Sequence, residues 1–269
     1  IFLKLSPNMA FPADYTKYQA ITVDNTKVSA TLSDFVLYID MADMAKVGND
    51  VFDLCRTDGG DIRFSSDDAG SIELAREIVS IDTTAKTGEV HVKIPSLSSV
   101  ADTTIYCWYN GVDVEPSVSS TYGRDNVWTD YEAVWHMSED PSSSNQTDST
   151  GNGHTLLKSG SFSSGDRVPG RVGTKINFSG SNGMYTTDNI PSITDGTLSA
   201  WYKQTNDPQD DVYFSARPSV SAAGMFQFDN ATALVFRILH WSGSAWNPNV
   251  NSTTRVDNQE YKFAYSFST

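Results

Sequence analysis

The sequence predicts an all-β protein: an N-terminal antiparallel β-sandwich followed by a second, larger sandwich. Three observations carry this. Short runs rich in Val, Ile, Tyr, Phe and Thr recur at roughly ten-residue intervals. Clusters of Gly, Asn, Asp, Ser and Pro separate them. No stretch sustains the 3.6-residue period of an amphipathic helix, so no long helix is expected.

Residues 1–14 hold Pro7, Asn8 and Pro12 and read as an arm. Tyr18–Val23 alternates and is rich in β-formers, and Asp24-Asn25 supplies a turn. Phe35–Met41 is almost continuously apolar, as a central strand would be. Met44–Leu54 suggests a short helical turn. Asp61–Phe64 and Ile72–Ile81 read as strands around the acidic turn Ser65–Gly70. Glu89–Pro95 alternates cleanly, which places His91 on the solvent face between Val90 and Val92. Thr103–Asn110 is an aromatic strand closed by Asn110-Gly111. The Ser-rich stretch Glu115–Arg124 is the best linker candidate, which sets one β-domain at 15–118 and the linker at 119–130. Beyond it, Ser138–Gly153, Ser159–Gly165 and Gln204–Asp211 are polar loops. Met225–Phe228, Leu234–His240 and Tyr261–Phe267 are strands. Trp135, Phe178 and Trp201 are spaced as large inward-facing residues of two packed sheets.

Composition narrows the function classes. The 269 residues are 39% hydrophobic, with 13 Phe, 12 Tyr and 6 Trp, enough apolar matter for a core. A net charge of −14 repels phosphate backbones and anionic lipid, so nucleic-acid binding is disfavoured. No run reaches the roughly 18–20 apolar residues of a membrane span. Cys55 and Cys107 are either a pair or free thiols, and Cys107 lies in an apolar strand. Met9-Ala10-Phe11-Pro12 reads as a natural start without a secretion signal.

Four blocks of the second half carry a resemblance. They are Tyr131–Asp140 (Tyr-Glu-Ala-Val-Trp-His-Met-Ser-Glu-Asp), Asp148–Thr155 (Asp-Ser-Thr-Gly-Asn-Gly-His-Thr), Pro169–Gly180 and Thr197–Lys203. In this order they resemble the laminin-G-like or concanavalin-A-like jelly roll, which assigns residues 131–269 to that fold. The family would supply further strands after Tyr265, so the expectation is a fragment or a sheet completed by another chain. The first half has blocks of its own: Ile21–Asp24 followed by Asp34–Asp40, then Gly60–Asp67, Glu89–Leu97 and Thr104–Gly111. They are similar to an uncharacterised β-domain that often precedes such a jelly roll. The tandem is common in phage structural and bacterial surface proteins, and implies display or adhesion rather than metabolism.

Catalytic patterns are weak. Glucanases of the concanavalin-A-like group resemble one another in a strand of alternating acids, E-x-D-x-x-E, which puts carboxylates on one face. Here Glu139-Asp140 and Asp210-Asp211 are adjacent and would face opposite ways in a strand. The four histidines, His91, His136, His154 and His240, lack zinc-ligand spacing with one another or with Cys. No G-x-S-x-G elbow occurs. Three features suit binding. Trp241 and Trp246 flank a Ser/Gly turn and offer faces on which a sugar ring stacks. Asp207, Asp210 and Asp211 offer hard oxygen ligands for Ca2+, without EF-hand spacing. Asp148, Asn152 and the neighbouring glycines form a tight turn. Sequons at Asn145, Asn230 and Asn251 matter only in a glycosylating host.

The expectation is a non-enzymatic protein of a virion surface: a head decoration, fibre or tail-associated adhesin. Its partners would be other virion subunits, copies of itself and a host glycan. A bacterial extracellular adhesin or polysaccharide-binding module is the first alternative, and a purely structural oligomerisation domain the second.

Overall fold

The computed structural model describes residues 11–46, 48, 50–179, 182–186, 195–203, 212–216, 225–232, 235–241, 246–251 and 258–268; within 212–251 it describes the backbone. The structure is all-β, with short helices only among the described residues. It packs as two compact units, Ile1–Thr187 and Asp188–Thr269. The stretch 119–130, read as a linker, lies inside the first.

The first unit contains strands β1 (Lys17–Val23), β2 (Leu32–Asp40), β3 (Arg63–Ser65), β4 (Glu73–Leu74), β5 (Arg76–Asp82), β6 (Thr87–Leu97) and β7 (Thr103–Tyr109). They form two antiparallel sheets, ordered β1-β7-β3-β4 and β2-β6-β5. The stretch Ile72–Ile81, expected as one strand, is split at Ala75. Glu73-Leu74 pairs with β3 in one sheet, and Arg76 onward pairs with β6 in the other. Both sheets feed one core: Ile39, Val90, Val92 and Ile94 from one, Phe64, Leu74, Ile105 and Cys107 from the other. Helices α1 (Met41–Lys46) and α2 (Val51–Leu54) add Met41, Met44, Val51 and Phe52. Along one side, β1 and β2 leave an open groove of about 290 Å³ lined by Ile21, Leu37 and Met44 among others. Cys107 is buried and Cys55 partly so; both are free thiols, each with its pKa raised by burial, Cys55 to about 11.

A pair of buried arginines ties the connecting segment 112–115 to this unit. Arg76 is fully buried and donates from Nε to the Ile62 carbonyl at 2.6 Å and from Nη1 to Glu115. Arg63 donates to the carbonyls of Gly60 at 2.7 Å and Val114 at 2.6 Å.

The chain then returns over the outer face of the β2-β6-β5 sheet. Helix α3 (Arg124–Val127) packs on β5 and β6, burying Val127 and Trp128. The Arg76 amide donates to the Tyr122 carbonyl, and Lys93 Nζ reaches Thr129 and Asp130. Residues 131–140, the first block of the jelly-roll resemblance and in that fold an opening strand, form none here. Their bonds go to a loop instead: the Val134 amide to the Asp148 carboxylate, its carbonyl to the Ser149 amide. Short strands follow: β8 (Leu157–Ser159), β9 (Arg167–Pro169), β10 (Thr174–Ile176) and β11 (Gly183–Tyr185). β8 pairs with β11 and β9 with β10. Phe178, expected to face inward, is 52% exposed and meets Phe162 edge-on. It follows β10 rather than lying within it.

In the second unit β12 (Asp195–Lys203) pairs with β17 (Glu260–Ser268). Strands β13 (Val212–Ala216), β14 (Met225–Thr232), β15 (Val235–Trp241) and β16 (Trp246–Asn251) form a four-stranded antiparallel meander. Trp201, also expected inside, is 44% exposed on β12, whose described sheet has two strands.

Candidate functional site

A buried gathering of titratable side chains lies on the outer face of β5 and β6. Alternation along β6 sends Val90 and Val92 to the core and Glu89 and His91 the other way. Register places Glu77 of β5 directly opposite His91, with Tyr38 of β2 on its other side. One face therefore carries Tyr38, His91, Glu77 and Glu89 in adjoining positions. Sequence reasoning assigned this face correctly but left it to solvent. The returning segment covers it, so His91 is only 7% exposed and Glu89 only 3%.

That segment contributes His136, Trp128 and Ser149. The His136 ring stands between two carboxylates: Nε2 is 3.0 Å from Glu77 Oε2 and Nδ1 is 3.4 Å from Glu89 Oε1. His91 Nε2 is 3.0 Å from the same Glu89 oxygen. The two imidazoles lie with centroids 4.7 Å apart, and Trp128 flanks both. Glu77 also accepts from Trp128 Nε1 at 2.5 Å and Ser149 Oγ at 2.7 Å. Buried carboxylates so satisfied are held in place from both layers. Gly173 closes one side at φ +53°, where a Cβ would run into the Glu89 carboxylate.

Electrostatics follow the geometry. Burial alone would lower the His136 pKa, but Glu77 and Glu89 outweigh it and raise it to about 9. Burial likewise works to raise Glu89, yet its bonds to His136 and His91 pull it down to about 2. Glu77 is held below its usual value against burial by His136, Ser149 and Trp128. Glu89, His91 and His136 each bring one donor atom, and the three atoms lie within 4.8 Å of one another. This is a set that a metal ion can bridge. Sequence reasoning missed it because its members span Glu89 to His136. The local signal was Glu89-x-His91, two ligand types on one strand face.

A second polar knot sits beside it. Asp148 accepts from the amides of Val134, Thr150 and His154 and from the Thr150 hydroxyl, at 2.7–3.0 Å. His154 Nε2 meets Glu132 at 2.8 Å, and Trp135 Nε1 donates to the His154 carbonyl. The expected tight turn at Asp148–Gly153 is thus built around one carboxylate.

Of the other sequence-derived candidates, Trp241 and Trp246 are brought together. They are direct partners in the β15–β16 register, one at each end of the connection between those strands. Asp207, Asp210 and Asp211, the candidate Ca2+ ligands, lie outside the described residues. Glu139 and Asp140 serve their own loop, accepting from Thr147 and Ser142. No helix of the described residues is long and apolar enough to cross a membrane. No protein-family model, curated protein or solved structure matches this chain.

Proposed function

We propose that this chain is a non-enzymatic display protein of a virion surface, a decoration, fibre or tail-associated adhesin, whose second unit engages a host glycan. The observation that carries the reading is the Trp241–Trp246 register pair at the adjoining ends of two paired strands. Two tryptophans at partnered positions of neighbouring strands suit the apolar face of a pyranose, since an aromatic ring stacks on it. The resemblance of the two halves to a tandem found in phage structural and bacterial surface proteins supports the setting. An acidic surface suits a particle exterior, where like charge keeps assemblies dispersed.

Binding of the purified chain to a glycan array tests this. Selective binding that falls at least tenfold in Trp241→Ala and in Trp246→Ala, with the fold retained by circular dichroism, is the expected result. Loss of binding on adding EGTA would bring Ca2+, with Asp207, Asp210 and Asp211 as its candidate ligands, into the site. Binding indifferent to both tryptophans, or no binding by a folded chain, overturns the glycan reading. Light scattering on the same sample reports whether the chain assembles with itself.

A further inference from the structure

We infer that Glu89, His91 and His136 form a buried site for a divalent first-row transition metal, Zn2+ above all, that clips the returning segment to strand β6. The inference is independent of the glycan reading and concerns the first unit alone.

Three features lead to it. First, the donor set is two imidazole nitrogens and one carboxylate oxygen, a borderline set that suits Zn2+ over Ca2+ or Mg2+. Second, the spacing is close to that of a tetrahedral ion, with all three donor atoms within 4.8 Å of one another. Zn–N and Zn–O bonds of about 2.0–2.2 Å place tetrahedral ligands roughly 3.3–3.5 Å apart. Glu89 Oε1 is 3.0 Å from His91 Nε2 and 3.4 Å from His136 Nδ1. Third, the surroundings are those of a metal ligand. His136 presents Nδ1 to the cluster and turns Nε2 to Glu77 at 3.0 Å, the carboxylate–histidine arrangement that fixes a ligating ring. Glu77 is itself held by Trp128 and Ser149, so the orienting group has no freedom to swing away.

Burial assigns the role. The side chains of Glu89, His91 and His136 are 5–9% exposed, which leaves no room for a substrate. Three protein ligands leave a tetrahedral ion one position for water. Two ligands come from β6 and one from residue 136, so the ion would join parts of the chain that sequence alone reads as separate domains. Binding energy at such a site becomes folding energy.

The test uses the whole chain, stripped with chelator and then titrated with Zn2+. One equivalent retained through gel filtration, by elemental analysis, with a higher Tm, is expected. Co2+ in its place should give the intense visible bands of a tetrahedral site, a readout on the unaltered protein that needs no variant. Glu77→Gln leaves the three ligands in place and should weaken Zn2+ binding by about 10–100-fold. His91→Gln should weaken it at least as much. A folded wild-type chain that retains no zinc, or gives only octahedral, weakly absorbing Co2+, overturns the site. So does binding that persists unchanged in His91→Gln.

Discussion

Asp148 gathers three backbone amides and one hydroxyl on a single buried carboxylate. Burial works to raise its pKa, but these donors outweigh it and hold it below the usual carboxylate value. A depressed folded pKa stabilises the protein above the unfolded value of 3.8 and loses that contribution as pH falls through the folded one. Asp148→Ala should therefore cost about 3 kcal/mol near neutral pH, since buried amides lose a charged acceptor. The gap between wild type and variant should close as pH drops below that value. Urea titrations from pH 7 to pH 3 measure it, and a gap independent of pH would show that the charge contributes nothing. This residue was legible as a turn former because Asp148-Ser-Thr-Gly-Asn-Gly has local turn chemistry. His91 was half legible. Alternation gave its face, but periodicity says nothing about what lies on that face. Its partners Glu77 and His136 are distant in sequence, and only pairing and packing bring them together.

Strand β5 shows how one element joins three layers. Its first residue, Arg76, points inward to the Ile62 and Gly60 carbonyls and to Glu115. The next, Glu77, points outward to Trp128, His136 and Ser149. Alternation along a strand makes this division automatic. Arg76 is fully buried, and burial lowers its pKa against the pull of Glu115. Removing a buried charge that satisfies carbonyls leaves them unpaired, so Arg76→Ala should destabilise the first unit by about 3–5 kcal/mol. Equilibrium unfolding followed by tryptophan fluorescence checks this, and a loss under 1 kcal/mol would mean that water replaces the guanidinium. At this scale the sequence was most readable where one pattern served one sheet, as in β6, β7, β12 and β17. It was least readable where the chain changes sheets at Ala75. It also failed at 131–140, where apolar residues imitate a strand whose hydrogen bonds in fact run to a loop.

The whole first unit rests on a cover that folds back from beyond the connecting segment. Val127 and Trp128 are buried against the β2-β6-β5 sheet, each worth about 1.5–3 kcal/mol of burial. The same cover supplies the hydrogen bonds that let Glu77 and Glu89 stay ionised out of water. A fragment ending at residue 118 keeps both sheets and the core but strips this cover. Its outer face would then hold two carboxylates and a histidine re-exposed to solvent, beside freshly exposed apolar surface. Residues 1–187 should unfold in one cooperative transition, and residues 1–118 should be less stable by several kcal/mol, the sum of two lost apolar side chains at about 1.5–3 kcal/mol each. Thermal melts of the two fragments decide it. Equal Tm values would mean that the first 118 residues fold on their own and that the returning segment is a passenger. A lower Tm for the shorter piece would fix the folding unit at 1–187, with the charged cluster as its internal fastening rather than a surface patch.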